Sequence, residues 1–362
     1  MAGFVLMAIL VQPLSTSAQY GCDQPLPDAE QEQLPTACGV TINYAPVVPD
    51  QTPIKYVRIS FHVMQRDDGT GSFQNNVADS LYLHNLVMAA NSRLANLGPL
   101  NIGSSPYIPD TRVRMFLERI YYHPHAADTA ANADLLWKRY VIQDLDGYGI
   151  TPDDTAHVEH VFLVTPYGTG GGRTSDIGEQ KWIVHSGWYR HYLANGPMSY
   201  TWGITGNFVH EFGHACGLLH NFHNGPPGAD CFDLCTDDDP VGQPCPIQAT
   251  SNNYMDYFPG GYNSSNPDPG FSECQMGRMH YYLDGQAGTI ERAVLRDYCT
   301  YDPNAAMDIT SDALWLSGKK LKSDLIVHAG ATLTVKCRVH LPIGARVIIE
   351  PQGRLVLDGG VL

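Results

Sequence analysis

Residues 210–220 read His-Glu-Phe-Gly-His-Ala-Cys-Gly-Leu-Leu-His, the pattern H-E-x-x-H-x-x-G-x-x-H. His210 and His214 are four apart, so a helix carries both on one face, where they can bind the same ion. Gly217 takes a positive backbone φ at little cost, which lets the helix end and the chain turn back. That turn brings His220 round as a third ligand. Three imidazoles leave a fourth zinc position open for water, as a catalytic site requires and a structural site does not. Glu211, beside the first ligand, can take a proton from that water and pass it on. A bare H-E-x-x-H would not separate this arrangement from a helix with surface histidines and a packing glycine. The added Gly217 and His220 do.

A second stretch, Asn252-Asn253-Tyr254-Met255-Asp256-Tyr257, has the form of a Met-turn following the zinc helix. A third, Phe271-Ser272-Glu273-Cys274-Gln275-Met276-Gly277-Arg278-Met279, carries a Gln-x-x-Arg-Met pattern. Together with residues 210–222, these stretches resemble the pappalysin family of metzincin zinc metalloproteases, most closely its bacterial ulilysin- and cytophagalysin-like branch. The resemblance is strong from Lys181 to Leu283 and weaker from Tyr56. It does not cover the segment beyond Tyr298.

The resemblance implies an α+β, metzincin-type zincin: a twisted mixed sheet with the active-site helix above a cleft, and a smaller lower subdomain beneath. It implies that Met255 forms an apolar floor under the three histidines and that Tyr257 approaches the zinc. It also implies disulfides Cys231–Cys245 and Cys235–Cys274, whereas spacing alone permits three pairings. A second zinc site is the rival reading of these four thiols. Asp230, Asp233, Asp237, Asp238 and Asp239 crowd the same loop. They read either as a solvated acidic loop or, as the resemblance implies, as a structural calcium site built from hard oxygen ligands. Asp144-x-Asp146-Gly147 is a weaker calcium candidate, because its glycine is misplaced for an EF-hand loop.

The formal charge of −15 argues against nonspecific nucleic-acid binding. Nine cysteines fit an exported, oxidised protein, with Cys216 in the zinc helix read as a buried free thiol. Residues 1–18 are apolar and acid-free, and Thr16-Ser17-Ala18 suits signal peptidase, although no Lys or Arg precedes the apolar run. The rival reading of that run is a buried strand. No later run is long enough for a membrane span. Residues 19–54 show no secondary-structure period and read as a pro-segment or N-terminal arm. Its Cys22 and Cys38 are expected to bond each other, the sharper alternative being that one caps the zinc as a latency switch.

Alternation and β-branched residues predict strands over Tyr56–Met64, Val113–Tyr122 and Val158–Val164. Helical spacing predicts helices over Asn76–Leu97 and Asp134–Val141, and the active-site helix with its lead-in over Tyr200–His220. Lys181–His185 is expected to be the edge strand above the cleft, the place where the family adds an extended substrate to the sheet. Gly168–Gly172 lacks the Lys and the helix of a phosphate cradle and reads as a flexible loop. His123, His125, His157, His160 and His191 lack ligand spacing and read as surface or packing residues.

The catalytic domain is expected to span residues 55–297. From 298 to 362 the texture becomes β-rich and punctuated by glycines, as in the first rungs of a β-solenoid or a small sandwich. So few rungs bury little surface unaided, and the chain is therefore expected to be part of a longer protein. The expected activity is that of a secreted zinc endopeptidase acting on protein or peptide substrates, with Glu211 as base and Tyr257 as oxyanion donor. The competing class is a noncatalytic binding or adhesion protein that keeps the scaffold.

Overall fold

The structure is a computed structural model that describes residues 36–125, 132–165, 171–222, 235–238, 250–257 and 268–362. Its centre is a sheet of five strands: β1 (Lys55–Gln65), β2 (Val113–Pro124), β3 (Glu159–Val164), β4 (Gly171–Thr174) and β5 (Trp182–Ser186). They lie in the order β2-β1-β3-β5-β4, all parallel except β4, which runs antiparallel to β5. A parallel sheet needs cover on both faces, and the alternation in β1 supplies it. Val57, Ile59, Phe61 and Val63 enter the main core. Met64, on the other face, packs with Phe162, Trp182 and Tyr140 under the short helix α2 (Ala133–Trp137) and the single π-turn Lys138–Ile142 that continues it.

The main core is closed by α1 (Val77–Ala95) and, later in the chain, α5 (Pro197–Ala215), which lie against each other and against the sheet. Asn76 caps α1 by accepting from the Asp79 amide. The short helix α3 (Pro152–His157) leads into β3, α4 (Trp188–Asn195) joins β5 to α5, and α6 (Glu273–Leu283) lies against the turn that follows α5. Ser272 and Gln275 form a reciprocal capping box at the start of α6.

One strand assignment needs correction. The strand over Trp182–Ser186 is internal, and the edge is β4, formed by the last two glycines of the stretch read as a flexible loop together with Arg173 and Thr174. Glycine has low strand propensity, so this short edge carries no alternating signal. Residues 166–170, the start of that stretch, lie outside the described residues, as do residues 1–35.

Beyond residue 305 the strands are short and all parallel. β6 (Ala306–Ile309), β9 (Asp324–Val327) and β12 (Val347–Ile349) stack in one column, and β7 (Ala313–Trp315), β10 (Thr332–Val335) and β13 (Arg354–Leu357) in a second. β8 (Lys319–Lys320) and β11 (Val339–His340) form the third. Columns of parallel strands at successive turns are a β-solenoid, not a sandwich. Ile309, Trp315, Leu325, Val327, Leu333 and Val335 fill its own core.

Residues 36–54 form three short 3₁₀ turns that join the two parts. The Thr41 carbonyl lies 2.7 Å from where a Cβ on Gly277 of α6 would stand. Trp315 Nε1 donates to Gln51 Oε1 at 2.9 Å. Cys38 bonds Cys337 in the solenoid, which corrects the expected Cys22–Cys38 pair and removes Cys38 as a zinc-capping thiol. The chain meets the solenoid first at its N-terminal arm, a contact that no local spacing signals. Cys22 lies outside the described residues.

Candidate metal centre and active site

The turn after α5 is a Schellman motif. The Leu218 amide donates to Gly213 O at 3.0 Å and the Gly217 amide to His214 O at 2.9 Å. Gly217 has φ +96°, which a side chain would resist. The α6 helix locks this turn: Arg278 Nε donates to Gly217 O at 2.6 Å. The Tyr282 ring lies 2.5 Å from where a Gly217 Cβ would stand.

The result is a triangle of nitrogens. His210 Nε2 is 3.2 Å from His220 Nε2 and 3.2 Å from His214 Nε2, which is 3.1 Å from His220 Nε2. His210 Nδ1 donates to Tyr254 O at 2.6 Å and His214 Nδ1 to Leu218 O at 2.8 Å. A carbonyl oxygen only accepts, so those two Nδ1 atoms carry the protons and the Nε2 atoms present lone pairs. Burial pushes the imidazolium forms out of reach, with the pKa of His210 lowered to about 3 and that of His220 to about 4. Lone pairs this close repel unless a cation lies among them. Tetrahedral zinc with Zn–N bonds of about 2.0–2.1 Å spaces its nitrogens by about 3.3–3.4 Å, so the donor set fits zinc.

Glu211 is buried, and burial raises its pKa to about 7, opposed by the Thr174 hydroxyl. Thr174 Oγ1 lies 2.9 Å from Glu211 O and 3.2 Å from its Oε2. Gly172 faces the same side chain: a Cβ there would stand 2.4 Å from Glu211 Cγ. The edge strand therefore touches the acid directly, and only a glycine fits at that approach.

Met255 is fully buried, its Sδ 2.7 Å from where a Gly213 Cβ of α5 would stand. Asn253 fixes this turn. Its Oδ1 accepts from the Met255 amide at 2.8 Å, and its Nδ2 donates to Asp238 Oδ2 and Gln275 Oε1 at 2.8 and 2.9 Å. Tyr257 is 48% exposed and its ring lies 5.0 Å from that of His220 and 5.8 Å from that of His210. Burial and the neighbouring Glu211 raise its pKa, so the phenol stays a donor.

The chain thus brings His210, His214, His220, Glu211, Met255, Tyr257 and Gly217 to one place. Thr174, Gly172, Arg278 and Asn253 were missed as members of the site. Arg278 and Asn253 stood in stretches that carry the resemblance, without a role of their own, and Arg278 also sits four residues before Tyr282 on one helix face. Cys235 bonds Cys274, and Cys216 is a buried free thiol. The disulfide excludes those two sulfurs from a second zinc site. Cys231 and Cys245 lie outside the described residues, as do Asp230, Asp233 and Asp239. Asp237 Oδ2 accepts from the Cys274 amide at 3.0 Å. Asp144 accepts from the Tyr148 and Gly149 amides, and Asp146 bonds His123 and His125, so both carboxylates of the weaker calcium candidate are engaged.

No family model and no curated protein matches the chain. Among solved structures it is similar to mature mirolysin of Tannerella forsythia in complex with a cleaved peptide, with a TM-score of 0.43 and 15% identity over 67% of this chain and 95% of that one. It is similar also to mirolysin in complex with compound 9, with a TM-score of 0.42 and 15% identity over 67% and 96%. Among the described residues no helix is long and apolar enough to cross a membrane.

Proposed function

We propose that this chain is a zinc-dependent endopeptidase of the pappalysin branch of the metzincins, exported to an oxidising compartment. The observation that carries the reading is the triangle of Nε2 atoms 3.1–3.2 Å apart, with those of His210 and His214 left as lone pairs by their Nδ1 contacts and a buried carboxyl alongside. His210, His214 and His220 would hold the zinc, which when bound supplies a Lewis acid that polarises the scissile carbonyl and makes a water more acidic. Glu211 takes the proton from the attacking water and delivers it to the leaving amine. Thr174 holds that carboxyl against β4. Tyr257 donates to the oxyanion as it develops. The antiparallel edge strand β4 offers its open side to an extended peptide, so that main-chain hydrogen bonds align the scissile bond with Glu211. The disulfides Cys38–Cys337 and Cys235–Cys274 suit an exported protein.

Glu211→Ala is expected to keep its zinc and to lose about 10²–10⁴-fold in the rate of casein or peptide-library cleavage. Cleavage at the wild-type rate by that variant would remove Glu211 as the base. Zinc bound without cleavage by the wild type, across a peptide library, would favour the noncatalytic class.

A further inference from the structure

Two adjoining cavities, about 260 and 590 Å³, lie where the N-terminal arm, the end of α6 and the first solenoid turn meet. Asp284, Tyr298, Lys319 and Lys320 line both. In a chain of net charge −15, the charge here has the opposite sign. Among the described residues the lining acids are Asp50, Asp284 and Asp297. The lining bases are Lys55, Arg112, Lys319, Lys320, Lys322 and Arg338.

The acids are shared out before the bases are satisfied. Asp284 serves two lysines, with Oδ2 3.2 Å from Lys55 Nζ and Oδ1 4.0 Å from Lys320 Nζ. Asp297 lies 3.8 Å from Lys322 Nζ. Arg112 finds Asp110, outside the cavities, at 3.7 Å. Lys319 has no carboxylate within 4.0 Å of its Nζ among the described residues. Its β8 backbone is pinned, the amide donating to Arg338 O at 2.9 Å, and the residue lines both cavities. Burial, and next Lys55, lower its pKa to about 8, with Asp284 opposing. A half-buried cation with no carboxylate beside it gives up part of its hydration without return. An arriving anion removes that cost. The walls around it also include Ile54, Val294, Met307 and Leu321, which suit an organic body.

We propose that this junction is a binding site for a small organic oxyanion of two negative charges, held by Lys319 with Lys55 and Lys320 and resting its body on the apolar wall. The site shares no residue with the histidine triangle and does not depend on the peptidase reading. Occupied, it would tie the arm and the solenoid to the catalytic unit through charge.

The test is calorimetric titration of the full chain with phenyl phosphate, phthalate and inorganic phosphate at pH 7. Saturable binding is expected for at least one of the two aromatic dianions, tighter than for inorganic phosphate. Binding of phenyl phosphate alone assigns the site to phosphate esters, and of phthalate alone to dicarboxylates. Lys319→Met should weaken the bound probe by about tenfold or more, with peptide cleavage unchanged. Lys320→Met serves as a second variant and should also weaken it. No saturable heat with either aromatic probe, or equal affinity in both variants and the wild type, would overturn the proposal.

Discussion

The molecule holds two trios of histidine on opposite faces of one sheet, and they differ in where their protons are. His62, His123 and His160 are fully buried and form a string. His62 Nδ1 lies 2.9 Å from His123 Nε2, and His62 Nε2 lies 2.9 Å from His160 Nδ1. Asp146 Oδ2, 2.6 Å from His123 Nδ1, sets the direction. The carboxylate accepts from His123 Nδ1–H, so His123 Nε2 accepts from His62 and His62 Nε2 accepts from His160. Each contact within the string holds one hydrogen, and only His160 Nε2, at its far end, has no hydrogen-bond partner. In the trio at the end of α5, backbone carbonyls draw the protons of His210 and His214 to Nδ1 and turn their Nε2 lone pairs toward His220 Nε2. Three imidazoles in mutual contact are therefore not a metal site by proximity. The second partner of each ring decides.

The largest effect should separate the two trios outright. His214→Ala is expected to abolish bound zinc and peptide cleavage while the protein stays folded, as read by metal analysis and circular dichroism. Retained zinc in that variant would place the metal elsewhere.

Next is Gly172→Ala, which sets a methyl against Glu211. Because displacement of a reacting group by about 1 Å costs about 10²-fold, kcat should fall to that degree with zinc content unchanged. An unaltered kcat would show that the edge strand moves away freely.

Arg278→Ala removes the clamp on the turn that delivers His220. Loss of such an outer support weakens metal affinity by about 10–100-fold, which competition with a chelator would measure. An unchanged affinity would mean that the Schellman turn alone positions His220.

On the other face, His62→Leu should leave zinc and catalysis intact. It orphans groups on His123 and His160, at a cost of about 1–3 kcal/mol for each buried group left without a partner. Denaturant unfolding reads this, and a loss of zinc would break the contrast between the trios.

The smallest effect is a slope. Burial lowers the pKa of His160 from its ordinary 6.5 to about 4, and that of His62 well below 6.5. Both stay neutral in the fold while the unfolded chain takes up protons below pH 6.5. The stability they contribute is complete above pH 6.5 and is lost as the pH falls toward about 4. Melting temperature should therefore drop more steeply across that window in the wild type than in His160→Gln. Parallel profiles would contradict it.

Legibility followed the range of the interactions. The histidine helix α5, the turn at Met255 and β1 are local patterns, and their spacing names the residues. Of the string, His123 and His160 were legible only as histidines without ligand spacing and His62 only as a strand position, because the three come from three strands brought together by parallel pairing. The edge strand was misplaced because its role comes from one antiparallel pairing and from Gly172 against Glu211, neither of which leaves a periodic trace. Cys38–Cys337 spans 299 residues, and no spacing rule reaches that far. In the solenoid the glycines marked the turns, but only the parallel pairing of β6 with β9 and of β9 with β12 distinguishes stacked rungs from a sandwich.

Zinc per chain, measured by mass spectrometry after exhaustive dialysis in the wild type, His220→Ala and His123→Ala, tests the convergence of lone pairs most directly. About one zinc is expected in the wild type and in His123→Ala, and close to none in His220→Ala, as a site of three protein ligands requires. Zinc absent from the wild type, or retained in His220→Ala, would contradict the account.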